Sequence, residues 1–186
     1  MSLVLFPGLS LADNDIGGKF HWSDGSNPRA WMTIEDHTPS GWPVLAATNE
    51  WATEPNIDMY YEFGGCAGSP GRCVDVRLKD MPVPCAGTFD ASGGFFHYEF
   101  NAANTHYSED SFIRFNDACG GGNFDNRDRR ALACEEIGHS IGLDHADPGL
   151  NNVTCMASGD IRQLHEHPRD HDFSMLHNVI YDHNDP

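Results

Sequence analysis

The chain has 186 residues and a formal net charge of −17, with 28 acidic residues against 11 basic ones. This length fits one domain with its own hydrophobic core, so we expect a single domain over 1–186, with 1–15 poorly ordered. Because phosphate contacts need a basic surface, the charge argues against nucleic acid binding and disfavours anionic membrane surfaces. The longest apolar run is too short to span a bilayer, so we expect no membrane insertion.

Short patterned segments follow one another along the chain. Residues 19–35 contain two strand-like runs around a turn cluster at 24–28, and apolar spacings of three and four predict a helix over 42–52. Alternating patterns predict strands at 57–63, 73–78, 94–100 and 112–115. A later helix begins near 125, with Asp125 or Asn126 as its N-cap and Asp128 favoured by the helix dipole. This order of elements predicts an α/β layered domain with a mostly parallel sheet.

The later helix carries the most informative pattern, C-E-E-I-G-H-S-I-G-L-D-H at 134–145. Residues four apart lie on one helix face, so Glu135 and His139 point the same way and Glu136 leans toward that face. Gly142 can take a left-handed conformation that ends the helix, which lets His145 swing toward the same point. A catalytic zinc site takes three protein ligands, and a carboxylate beside the zinc-bound water can serve as general base. Glu136 stands where that base belongs.

A second feature is the short segment Cys155-Met156-Ala157, which lies beyond His145. A buried methionine alone is more often core filler, but its place after the motif adds weight to a zinc site. The competing interpretation of the whole pattern is a solvated helix with incidental histidines.

With these residues, the segment 116–183 resembles the metzincin metallopeptidases, and among them the matrixin-like bacterial branch. The family pattern is H-E-x-x-H-x-x-G-x-x-H, and Glu135 stands at its first His. A bacterial and fungal subgroup with Gln at that position is similar. The resemblance implies an active-site helix over 123–142, Met156 in the Met-turn that closes the floor of the site, and a C-terminal helix starting near His171 and Asp172. It implies a twisted, mostly parallel sheet and a secreted, zinc-dependent endopeptidase acting on protein or peptide substrates.

The replaced ligand leaves three interpretations open. In the first, which we favour, Glu135 binds zinc itself, since two His and one Glu form an established catalytic set. Its negative charge then weakens the Lewis acid and shifts activity to higher pH. In the second, Glu135 turns away and a later histidine takes its place, with His171 ahead of His165 and His167. In the third, the domain is a catalytically inactive binding module, although the retained Glu136 argues against this.

Six cysteines form an even set whose spacing does not match a four-Cys zinc cluster. The sequence leaves their pairing open, and our expectation is Cys66–Cys73, Cys85–Cys119 and Cys134–Cys155. The last pair would tie the active-site helix to the Met-turn. Three disulfides place the protein outside the cytosol, with reduced buried thiols as the alternative.

Calcium is a second cation to consider, because oxygen-bearing side chains cluster at 13–15 and 24–27. Neither segment follows a full calcium loop, and plain turns explain both. The run at 95–100 is our candidate edge strand, along which an extended peptide adds to the sheet. We expect the protein to be a monomer.

Overall fold

The computed structural model describes residues 21–22, 29–66, 72–79, 94–97, 106–107, 111–116, 124–146, 153–157 and 165–181. Its strands are β1 (Ala30–Asp36), β2 (Ile57–Phe63), β3 (Cys73–Lys79), β4 (Gly94–His97) and β5 (Phe112–Asn116). Its helices are α1 (Val44–Trp51), α2 (Asn126–Ser140) and α3 (Asp170–Met175), and α3 continues as a π-helical turn over Leu176–Ile180. None of the helices in these ranges is long and apolar enough to cross a bilayer.

The five strands form one sheet in the order β2-β1-β3-β5-β4. Strands β2, β1, β3 and β5 run parallel to one another, and β4 pairs antiparallel with β5 at one edge. Helices α1 and α2 pack against each other and against the sheet, with α1 on β1 and β2 and α2 on β4 and β5. The prediction of an α/β layered domain with a mostly parallel sheet is confirmed.

Alternation along the strands explains why one face of the sheet receives the helices. On β1, Met32 and Ile34 are fully buried, and Val74 and Val76 of β3 and Ile113 of β5 continue the same apolar layer. Between them, Asp75 of β3 and Arg114 of β5 are half-buried on the other face, as period-two geometry predicts, whereas Thr33 of β1 is buried as well. The predicted strands at 57–63, 73–78 and 112–115 and the helix at 42–52 are confirmed, with ends that differ by two residues at most.

The remaining predictions meet the structure in part. Of the two runs expected over 19–35, one is β1, which extends to Asp36, and most of the other lies outside the described residues. The strand expected at 94–100 is described as β4 up to His97. The segment 1–15, the turn oxygens at 13–15 and 24–27, and the pair Cys85–Cys119 also lie outside the described residues.

Helix α2 begins at a reciprocal cap. The Asp125 carboxylate accepts hydrogen bonds from the backbone N–H of Arg127, at 2.8 Å, and of Asp128, at 2.9 Å. The Asp128 carboxylate accepts in turn from the Asp125 N–H at 3.0 Å. Both groups satisfy backbone donors that have no partner within the helix. Of the two predicted N-caps, the structure therefore selects Asp125.

Among the described residues, two disulfides close loops of the chain. Cys66–Cys73 joins the end of β2 to the start of β3, with Cα atoms 6.2 Å apart. Cys134–Cys155 joins α2 to the segment 153–157, with Cα atoms 6.0 Å apart. Both pairs were predicted and are confirmed, and such bonds fit an oxidising compartment.

Candidate metal centre

The end of α2 is a sharp reversal of the chain at Gly142, whose φ is +104°. The Leu143 N–H bonds to the Gly138 carbonyl at 3.2 Å, and the Gly142 N–H bonds to the His139 carbonyl at 3.1 Å. This pair of bonds is the Schellman arrangement, which favours glycine at the reversing position. The predicted glycine turn is confirmed, and it directs the chain back toward the helix.

The reversal brings three predicted ligands together. The Nε2 atom of His145 lies 2.9 Å from Oε1 of Glu135, and the Nε2 atom of His139 lies 3.8 Å from the same oxygen. One ligand atom from each of the three side chains falls within 4.8 Å of the others. The two imidazole rings are 4.8 Å apart, at an interplanar angle of 78°.

These distances can be compared with what a zinc ion requires. Ligand atoms at about 2.0–2.1 Å from a tetrahedral ion are about 3.3 Å from one another. The separations from the Glu135 oxygen to His145 and to His139 lie on either side of that value. Two imidazole nitrogens and one carboxylate oxygen are also a known catalytic donor set for zinc. The residues present therefore fit the metal.

A backbone carbonyl orients the His139 imidazole. Its Nδ1 atom lies 2.8 Å from the carbonyl oxygen of Leu143, just after the glycine turn. A hydrogen bond at Nδ1 fixes the ring and leaves Nε2 to face the cluster, which is the usual outer-shell support of a metal-binding histidine. The support comes from the same turn that positions His145.

Burial is uneven across the cluster. The Glu135 side chain is 0% exposed and that of His139 is 15% exposed, whereas 44% of the His145 side chain is exposed. Among these three side chains, the His145 side is therefore the one that faces solvent.

Glu136 lies next to this cluster along α2 and is nearly fully buried. Burial is the main cause that raises the pKa of its carboxyl from 4.5 to about 7, and the charge of His139 opposes the shift. Its Oε2 atom is buried and makes no hydrogen bond to the part of the chain that the structure describes. A carboxyl that titrates near neutral pH suits the exchange of protons.

Met156 packs under the last turns of α2. It is fully buried, and its sulfur and methyl carbon approach the bare Cα of Gly138, the residue before His139. Its carbonyl accepts a bond from the Ala146 N–H at 2.7 Å, which joins the segment 153–157 to the chain just after His145. Sequence reasoning singled out Met156 but missed Gly138, although a glycine inside a helix often marks close packing.

A buried carboxylate anchors this segment to α3. Asp172 is fully buried, and its Oδ2 accepts from the Arg169 N–H at 2.8 Å and from the Thr154 hydroxyl. Thr154 Oγ1 in turn accepts from the Met156 N–H at 3.2 Å. The prediction that Asp172 caps the helix or serves as a buried anchor is confirmed, since it does both.

The later histidines take other positions. His171 lies in the first turn of α3, and His167 Nδ1 lies 2.8 Å from Oε1 of Glu50 on α1. Within the described ranges, neither these residues nor His165 belongs to the group formed with His139. The structure thus brings Glu135 to the cluster and leaves the proposed substitutes elsewhere.

Two other groups of metal-type side chains occur among the described residues. One contains Glu35 with Cys66 and Cys73, whose sulfurs are joined in a disulfide. The other contains Glu35, His37 and Asp75, and the Asp75 carboxylate is paired with Arg77 at 2.7 Å and with Arg114 at 2.5 Å. The disulfide accounts for the first group and the ion pairs with arginine account for the second. Both groups lie on the side of the sheet away from the helices.

Comparison with known proteins adds no assignment. No protein-family profile matches the chain, and no curated protein matches it significantly. A functional proposal therefore depends on the geometry at the end of α2.

Proposed function

We propose that this protein is a secreted, zinc-dependent endopeptidase of the metzincin type. The observation that carries the proposal is the convergence of one ligand atom each from Glu135, His139 and His145 within 4.8 Å, beside the buried carboxyl of Glu136. Solvated helices carry histidines by chance, but a fully buried carboxylate facing two imidazoles needs a compensating cation or proton. The two disulfides support an extracellular location.

Each residue has a distinct part in the proposed reaction. Glu135, His139 and His145 would hold a zinc ion, which when bound would polarise the scissile carbonyl and lower the pKa of the attacking water. Glu136 accepts the proton from that water and returns it to the leaving amine nitrogen. Burial raises the pKa of this carboxyl to about 7 in the metal-free protein, which suits a group that takes up and releases a proton near neutral pH.

Glu135 changes the electrostatics relative to a site of three neutral histidines. Its carboxylate lowers the net charge of the loaded centre by one unit, and it does so in surroundings that exclude water. A less positive centre lowers the pKa of a bound water less. We therefore expect the activity to rise at higher pH than in a three-histidine site.

The substrate is proposed to be an extended peptide. Among the described strands, β4 is the outermost one at the side of the sheet that contacts α2, the helix that carries Glu135 and His139. Backbone pairing with such an edge would hold a peptide in extended form along the site. Protein substrates such as casein or gelatin are suitable probes because they contain many extended segments.

The decisive test combines metal analysis with proteolysis. We expect one zinc per chain, and casein hydrolysis that a chelator abolishes and added zinc restores. Glu136→Gln should keep zinc and lower hydrolysis on the order of 10²- to 10⁴-fold, the usual contribution of a general base. Glu135→Ala should lose zinc, whereas His171→Ala, as the control, should keep both zinc and activity.

The outcomes separate the alternatives. If His171→Ala loses zinc while Glu135→Ala keeps both zinc and activity, His171 is the third ligand in place of Glu135. Zinc binding without hydrolysis of any protein substrate would leave a binding module on this scaffold.

A further inference from the structure

Three aromatic side chains hydrogen-bond to backbone carbonyls at the C-terminal end of α2 and at the residue that follows it. The Trp22 indole N–H donates to the Ser140 carbonyl at 2.8 Å, and the Tyr181 hydroxyl donates to the Ile141 carbonyl at 3.1 Å. The Tyr107 hydroxyl lies 3.5 Å from the carbonyl oxygen of His139. Carbonyls at the end of a helix have no partner within it, so outside donors must satisfy them.

The three donors form one unit although they are distant in sequence. The Trp22 and Tyr107 rings meet edge to face with centroids 5.7 Å apart, and the Tyr107 N–H bonds to the His21 carbonyl at 2.9 Å. The His21 ring lies 5.0 Å from the ring of Tyr181. Trp22 is 1% exposed, so it acts on α2 from the protein interior. We call Trp22, Tyr107 and Tyr181 the aromatic clamp.

The aromatic clamp holds the turn on which His139 depends. The carbonyl that orients the His139 imidazole belongs to Leu143, and residues 140–142 connect the two. Gly142 in this connection has the conformational freedom that other residues lack. Fixing the Ser140 and Ile141 carbonyls limits that freedom and keeps Leu143 at hydrogen-bonding distance from Nδ1.

We infer that Trp22 and Tyr181 are positioning residues for the metal centre, acting on the His139 imidazole through the turn 140–143. The inference rests on the proposed metal site. Without the clamp, the metal-free turn samples more conformations, and metal binding must order them again. The affinity for zinc then falls even where the fold persists.

The test uses changes that remove one donor: Tyr181→Phe keeps the same ring, and Trp22→Phe keeps an aromatic ring that is smaller than the buried indole. Trp22→Phe removes the indole N–H, and Tyr181→Phe removes the hydroxyl. Tyr61→Phe is the matched control. Tyr61 is half-buried, as Tyr181 is, and its hydroxyl donates one hydrogen bond, to Asp36 at 2.8 Å. Tyr61 lies on β2, at the opposite edge of the sheet from β4. Zinc affinity is measured by competition with a chromogenic chelator, and the visible spectrum of bound Co²⁺ reports ligand geometry.

We expect Trp22→Phe and Tyr181→Phe each to weaken zinc binding about three- to tenfold, below the range seen when a direct outer-shell partner is lost. The Co²⁺ spectrum should broaden or shift in both, and the control should match the parent in both measurements. Thermal unfolding of the metal-free proteins separates this effect from a general loss of stability.

Parent-like affinity and spectra in both clamp variants would overturn the inference, as would an equal loss in Tyr61→Phe. If the parent binds no zinc, the inference and the proposed metal centre fail together. If the affinities change as expected but the parent hydrolyses no peptide, the inference stands and only the peptidase proposal fails.

Discussion

Replacing Gly138 by Ala tests how closely Met156 packs under the C-terminal end of α2. An added Cβ would lie 2.9 Å from Cζ2 of Trp51 and 3.1 Å from Cε of Met156, and closer still to the Met156 sulfur. Favourable contacts between carbon atoms are about 3.5–4.0 Å long, so the methyl group overlaps both neighbours. Trp51 cannot easily move aside, since it is fully buried and its indole N–H donates to the Cys134 carbonyl at 2.8 Å.

Two opposing effects set the magnitude. Overpacking in a closed core costs about 1–3 kcal/mol, and the contact with rigid Trp51 puts this case at the upper end. Replacing glycine inside a helix gains about 1 kcal/mol, because the unfolded chain loses freedom. We expect Gly138→Ala to lower the free energy of unfolding by about 2 kcal/mol. Without the overlap, the same change should stabilise the protein.

The assay is urea unfolding of the metal-free, disulfide-intact protein, with Gly41→Ala as control. Among the described residues, a Cβ at Gly41 would meet only the flexible end of Arg129, at 3.3 Å, so we expect a change within about 0.5 kcal/mol. The double variant Gly138→Ala with Met156→Ala vacates part of the space, and its loss should be smaller than the sum of the two single losses by about 1 kcal/mol or more. A Gly138→Ala protein at least as stable as the parent would refute the packing argument.

Two further predictions concern buried carboxylates. Burial raises the pKa of Glu54 above its ordinary 4.5, so the folded state holds this proton more tightly than the unfolded state does. The free energy of unfolding should therefore fall as pH rises above about 4.5. Urea titrations of Glu54→Gln should lack this part of the fall. Identical pH dependences of the parent and Glu54→Gln would contradict the prediction. Asp172→Ala should lose about 1–3 kcal/mol in urea unfolding, because the Thr154 hydroxyl and the Arg169 N–H lose their acceptor. Exposed Asp170→Ala should lose less than about 1 kcal/mol, and an equal loss in the two variants would contradict the anchor role.

Local chemistry accounts for the features that the sequence predicted well. The Asp125 cap, the reversal at Gly142 and the alternation of β3 each depend on residues within a few positions of one another. The pairing Cys134–Cys155 followed from a resemblance that brings the active-site helix and the Met-turn together. Interactions between residues that are close in sequence leave a periodic or positional pattern in the chain.

Long-range packing accounts for what the sequence did not reveal. Trp22 and Ser140 are 118 positions apart, and nothing in the local pattern of either residue identifies the other as its partner. Alternation shows which face of a strand is buried but not which strand lies beside it, so the order β2-β1-β3-β5-β4 was not foreseen. Helix α2 is buried around most of its circumference from Ala131 to Gly138, so its charged residues Glu135 and Glu136 do not mark a solvent side. The geometry at these two carboxylates became interpretable only with the packed structure.

The bond between Cys134 and Cys155 makes a covalent ring of the chain that contains His139, Gly142 and His145. A single cut of the backbone anywhere inside this ring leaves both pieces attached to each other. A preparation cut once within this ring would thus run as one band without reducing agent and as two bands with it. Molecules cut in this way keep Glu135, His139 and His145 in one covalent unit, and the two pieces separate only after reduction.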